Sequence, residues 1–170
     1  DVFGSNPNTP YMWNALPLLG FLLPSPMWSL GREDAVVLIC RVPPKVDYFS
    51  FTTFALFVPR RLGGQPLLPF SSLGDSVNNH NIKQHDGLFA HVVTANRRTF
   101  ALVEAALVAS GLPASAINLL AVPSELGLFD DVFQLGPATR LGTHFEVVLR
   151  LFRFANQTEG DAYLRGARPH

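Results

Sequence analysis

Leu88–Val122 reads LFAHVVTANRRTFALVEAALVASGLPASAINLLAV, and this stretch decides the fold. Leu88–Val93 is a short apolar run rich in valine, which predicts a strand. Thr94 or Asn96 can cap the helix that follows, because a short polar side chain there accepts from free N–H groups of the first turn. Phe100, Val103 and Leu107, with Ala106, recur at helical spacing from about Arg97 to Ser110. Gly111 suits the left-handed position after a helix, and Pro113 enforces the stop. Ile117–Val122 is a second strand. If the two strands run parallel, the unit crosses over right-handed.

Working outward, strands dominate. Ala35–Val42 (AVVLICRV) and Val46–Val58 (VDYFSFTTFALFV) flank Pro43-Pro44-Lys45 and read as an antiparallel hairpin. In the second run Val46, Tyr48, Ser50, Thr52, Phe54 and Leu56 share one face, and Asp47, Phe49, Phe51, Thr53, Ala55 and Phe57 the other. Both faces carry aromatics, so both should be covered. Leu67–Phe70 reads as a short strand, Ser71–Asn81 as a polar loop, and Phe129–Leu135 as a short helix or irregular edge. Thr143–Ala155 is a long strand with Phe145, Val147, Leu149 and Leu151 on one face. Asn156, with Glu159 three residues on, opens a short final helix with Tyr163 and Leu164 as its apolar face.

The first region, Val2–Gly31, has no charged side chain. It holds five prolines and Phe3, Tyr11, Trp13, Phe21 and Trp28, which favours an extended arm over a helix. Pro17, Pro24 and Pro26 also break Ala15–Leu30, so no membrane-spanning helix is expected there. The pattern predicts an α+β chain. An uncharged arm spans 1–31. A single domain over 32–170 follows, mostly antiparallel β-sheet with one clear helix and a short C-terminal one.

Composition narrows function. The 170 residues carry 13 basic and 13 acidic side chains, and 15% are charged where about 25% is usual. At 48% hydrophobic, the chain is not disordered. Its balanced charge lacks the basic footprint of a nucleic-acid binder. One cysteine, Cys40, excludes a disulfide scaffold; mid-strand, it reads as a small hydrophobe. Asn156-Gln157-Thr158 is an N-glycosylation sequon, usable only in a secretory compartment.

Ser72-Leu73-Gly74-Asp75-Ser76 carries a Gly-Asp-Ser core that resembles the nucleophile block of GDSL-type hydrolases. The resemblance would make Ser76 the nucleophile. It stops at three residues: the chain has no Asp-x-x-His pair to supply the base and its orienter, and no Gly-x-Asn-Asp block. A plain turn accounts for the same residues. His80, His85 and Asp86, with Asp75 and His91 nearby, form a His/Asp cluster whose spacing matches no metal motif. His80 and His85 fall in a polar loop where histidines are usually solvated, and His91 in an apolar strand. Asn96-Arg97-Arg98 could meet an anion at a helix start, but no glycine-rich loop accompanies it, and a solvated first turn explains the two arginines.

The leading expectation is therefore a non-catalytic structural or interaction subunit of a larger assembly. It would dock through Tyr11, Trp13, Phe21 and Trp28 of the arm onto a protein partner, for which a membrane complex is suitable. No cofactor or metal is expected, and an exported compartment fits the sequon. The alternative is a small exported hydrolase or ligand-binding domain built on the polar loop Asp75–Asp86, in which Asp75, Ser76, His80 and His85 converge on one pocket. A carbohydrate-binding module using Trp13 or Trp28 is a third reading.

Overall fold

The computed structural model describes residues 11–13, 16–18, 23–25, 28–57, 71–123, 126 and 143–166; for 11–25 and Phe57 it describes the backbone alone. The strands are β1 (Tyr11–Trp13), β2 (Leu16–Leu18), β3 (Leu23–Ser25), β4 (Trp28–Ser29), β5 (Ala35–Arg41), β6 (Val46–Phe57), β7 (Ser71–Asn78), β8 (Leu88–Thr94), β9 (Ile117–Ala121) and β10 (His144–Phe154). The helices are α1 (Arg97–Ala109) and α2 (Gln157–Gly166). The chain is α+β and its strand pairs are mostly antiparallel.

One sheet runs β1-β10-β6-β7, with β4 also on β10; a second runs β5-β8-β9; β2 and β3 pair with each other. The two larger sheets close on one apolar layer. Phe49, Phe51 and Ala55 of β6 and Phe145, Val147, Leu149 and Leu151 of β10 meet Leu38, Phe89, Val93 and Leu120 of the three-stranded sheet. The rings of Phe51 and Phe89 meet edge-on at 5.1 Å across this layer. The opposite face of the three-stranded sheet carries α1. There Ala90, Val92 and Ile117 pack under Phe100, Val103 and Leu107. β8 lies between both layers, so every side chain from Phe89 to Thr94 is buried.

The strand–helix–strand unit forms as its residues dictate. β8 and β9 pair in parallel, Ala90 opposite Ile117 through Thr94 opposite Ala121. Asn96 is the cap: its Oδ1 accepts from Arg98 N–H (2.8 Å) and Thr99 N–H (3.3 Å). Thr94 Oγ1 instead donates to Asp34 O (2.7 Å), tying the helix entry to β5. At the far end Gly111 adopts φ +99°. Gly111 N–H donates to Val108 O (3.0 Å) and Leu112 N–H to Leu107 O (3.0 Å), the paired bonds of a Schellman stop.

Two expectations are corrected. The runs flanking Pro43-Pro44 do not form a hairpin. β5 pairs with β8 and β6 with β10 and β7. The first ladder extends to Val42, whose N–H donates to Gly87 O (2.8 Å), and the second starts at Lys45, whose carbonyl accepts from Ala155 N–H (2.8 Å). The two prolines between lack an N–H donor, and there the chain passes from one sheet to the other. β5 is thus an edge strand of its sheet, with Cys40 half-buried.

The second correction concerns Ser71–Asn81, expected as a loop. Ser71–Asn78 is the strand β7, because β6 offers a ladder that local turn preferences do not outweigh. The turn residues still leave a mark. Thr52 pairs with Ser76 and Phe54 with Ser72, so residues 73–75 stand opposite Thr53 alone. Gly74 takes φ +92° inside this bulge. The expected elements at Leu67–Phe70 and Phe129–Leu135 lie outside the described residues.

Candidate functional site

The bulge aims Asp75 and Ser76 at the neighbouring edge strand β9. Between them lies a cleft of about 250 Å³ lined by Asp75, Ser76, Asn81, Lys83, Asn118 and the apolar Val77, Leu119 and Leu120. Its wall is well tied. Asn118 Oδ1 accepts from Lys83 N–H (2.8 Å), and its Nδ2 donates to Lys83 O (2.8 Å) and Ala90 O (3.1 Å). This side-chain amide acts as a strand partner for Lys83 and holds the connection against β9. Asn81 Nδ2 donates to Ser76 O (2.7 Å), satisfying a carbonyl of the cleft wall.

Asp75 and Ser76 therefore share a concave site, as the alternative reading requires. His80 and His85 do not line it. Ser76 Oγ accepts from Asn78 Nδ2 (3.1 Å), an amide that cannot take its proton. His85 and Asp86 belong to a tight turn: His85 and Leu88 exchange both backbone bonds at 2.9 Å. Asp86 (φ +50°) and Gly87 (φ +74°) make the two-residue connection. His85 Nε2 lies 3.4 Å from the Asp86 carboxylate, both exposed. Lys83 and Asn118 were missed. A lone Asn in the apolar run INLLAV was the available signal for Asn118.

Of the arm residues, Tyr11 and Trp13 end β1, whose backbone pairs antiparallel with Val148–Arg150 of β10. Phe21 lies outside the described residues. Trp28 is 6% exposed and its ring sits 5.3 Å from that of Phe145. Its indole thus packs in the domain's own core. Asn156 is exposed and caps α2: its Oδ1 accepts from Thr158 N–H (3.0 Å) and Glu159 N–H (3.4 Å). No helix among the described residues is long and apolar enough to cross a membrane.

No family model, curated protein or solved structure matches the chain. The surface itself must carry the functional reading.

Two surface features stand out against this frame. On α1, Ala101, Leu102, Ala105, Ala106, Val108 and Ala109 are exposed, Leu102 at 66%. Glu104, half-buried on the flank, is the one charged residue between 101 and 109. Ile39 (64%) and Leu119 (40%) are exposed on the same side of the three-stranded sheet. They share that face with Val37 and Ile117, two residues away in each strand, which pack beneath the helix.

Inside, His91 is fully buried, and neither ring nitrogen has a hydrogen-bond partner among the described residues. In register it stands between Leu38 and Asn118. Burial pushes its pKa down to about 4, so the ring is neutral in the fold. Burial also pushes the Cys40 thiol up to about 11 and raises the Tyr163 phenol. A thiol held protonated is a poor nucleophile. Tyr163 Oη donates to Arg41 O (3.0 Å), clamping α2 to the end of β5. Glu146, buried on β10, has its carboxyl raised by the same loss of solvent.

Proposed function

We propose that this chain is a non-catalytic structural or interaction subunit of a larger protein assembly, and that α1 is its docking element. One observation carries the reading: over about two and a half turns, every fully exposed residue of α1 is alanine, leucine or valine, with Glu104 half-buried at the flank. A helix packed on a sheet ordinarily turns charged and polar residues outward. An apolar outer face loses free energy in water and gains it against another apolar surface, by about 25 cal/mol per Å² covered. The arm has a different part here. Its described backbone adds strands to β10, and Trp28 packs within the domain.

Sedimentation of the purified chain across a concentration series tests the reading. Association, or strong binding of an apolar dye that Leu102→Glu removes, supports it. A monomer that binds no dye contradicts it.

A second reading, ligand binding, is favoured by the cleft alone. Asp75, Ser76, Asn81 and Lys83 come from the polar segment and face an apolar floor of Leu119 and Leu120. A titratable shift of their NMR signals by a polar small molecule, lost in Lys83→Ala, supports it.

A further inference from the structure

The charges of α1 run against its own dipole. The helix starts with Arg97 and Arg98, has no acidic residue in its first turn, and has no basic residue in its last. Cations at an N-terminus meet the partial positive charge of unpaired N–H groups, and each costs roughly 0.3–1 kcal/mol. Asn96 satisfies two of those N–H groups, but no acidic side chain in the first turn offsets the arginines. The apolar outer face and this reversed charge pattern have one common solution, an antiparallel helix laid along the face with its carbonyl end beside the arginines.

We infer that the covering helix is α1 of a second copy of this chain. The inference rests on the docking role proposed above and names the partner. α1 is self-complementary about a two-fold axis near Ala105. Ala101 of each copy then meets Ala109 of the other, and Ala105 meets itself. Alanine at these three positions, one turn apart, lets the axes approach closely. Arg98 and Arg97 of each copy stand opposite Leu112 and Pro113 of the other, just past its carboxyl end, where the partial charge is negative and no basic side chain in the last turn competes. A two-fold contact requires one patch to fit itself, and this patch does so in both shape and charge. Leu102 and Val108 project along the seam, with Ile39 and Leu119 exposed on either flank, on β5 and β9. A foreign helix would need its own small-residue stripe and a last turn without basic side chains, both of which α1 already supplies. A contact centred on one helix about 20 Å long is small beside a standard interface of about 800 Å² per partner. Micromolar dimerisation is expected.

The test is sedimentation equilibrium on the whole chain and two variants at exposed helix positions, Ala105→Glu on α1 and Ala162→Glu on α2. Circular dichroism checks that each folds. The wild type and Ala162→Glu should dimerise equally, and Ala105→Glu should weaken dimerisation by at least about 100-fold. A wild type still monomeric at about 0.5 mM overturns the inference. So does a dimer that Ala105→Glu leaves intact. Apolar-dye fluorescence separates the two claims. A monomer that binds dye strongly, with the signal lost in Ala105→Glu, loses only the second copy as partner. One that binds none loses the docking role as well.

Discussion

α1 and α2 begin alike and end differently. Each is capped by an asparagine whose Oδ1 accepts from the second and third residues after it. α2 then carries Glu159 in its first turn and Arg165 in its last, matching the helix dipole. Its exposed positions include Gln157, Thr158, Glu159 and Arg165, while Tyr163 and Leu164 pack inward. α1 starts with two arginines, has no charge in its last turn, and exposes only alanine, leucine and valine fully from 101 to 109, with Glu104 half-buried. α2 is completed by its own chain. Among the described residues α1 is completed only on its sheet side, and the proposed docking surface rests on that difference.

The largest expected effect breaks the comparison at its apolar face. Leu102→Glu should weaken self-association at least about 100-fold, near 3 kcal/mol, while Thr158→Glu on α2 leaves it unchanged. Light scattering against concentration reads both.

Acid acts on the layer between the two larger sheets, on the face of β8 away from α1, by a similar amount. The folded His91 pKa of about 4 lies below the ordinary 6.5, so the unfolded chain binds a proton that the fold refuses. Stability is complete above pH 6.5 and falls as pH drops towards 4, by about 3 kcal/mol in all. His91→Leu should remove that loss and, by deleting two unpartnered nitrogens, raise stability at neutral pH. Urea unfolding from pH 7 to 4 measures it. An unchanged acid slope in the variant would place the sensitivity elsewhere, Glu146 having the opposite sign.

The caps should give equal, smaller effects. Asn96→Ala and Asn156→Ala each cost about 1 kcal/mol by urea unfolding. A much smaller cost on α1 would break the parallel between the helices.

The smallest effect is the sharpest. Arg98→Glu should stabilise the isolated monomer by about 0.3–1 kcal/mol, because the new charge suits the dipole, yet weaken dimerisation. Glu159→Lys should destabilise by a similar amount with no effect on association. A reversal on α1 that moves both quantities the same way contradicts the account.

The helix with its cap and stop was legible because each signal is local: Asn96, Gly111, Pro113 and the spacing of Phe100, Val103 and Leu107. The inward face of β10 was legible by alternation. Strand pairing was not, since Val42 and Lys45 join different ladders only two prolines apart and nothing local says which distant strand each meets. β7 hid behind serine, glycine, aspartate and asparagine, residues of turns, and was supplied by the open edge of β6. Asp75 and Ser76 were singled out for a nucleophile's motif. They line a cleft for another reason, the bulge at Gly74, and His80 and His85, expected beside them, stand apart. The outward face of α1 was present in the sequence as alanines read only for their helical spacing.

Disulfide trapping tests the central claim most directly. Cys40 stays silent, since its thiol is half-buried and pushed up to about 11. Ala105→Cys and Ala109→Cys are oxidised separately and run on non-reducing gels. The antiparallel two-fold predicts a covalent dimer from Ala105→Cys. It predicts none from Ala109→Cys, whose counterpart lies about 12 Å along the helix, beyond the reach of a disulfide. No dimer at 105, or equal dimer at both positions, would contradict it.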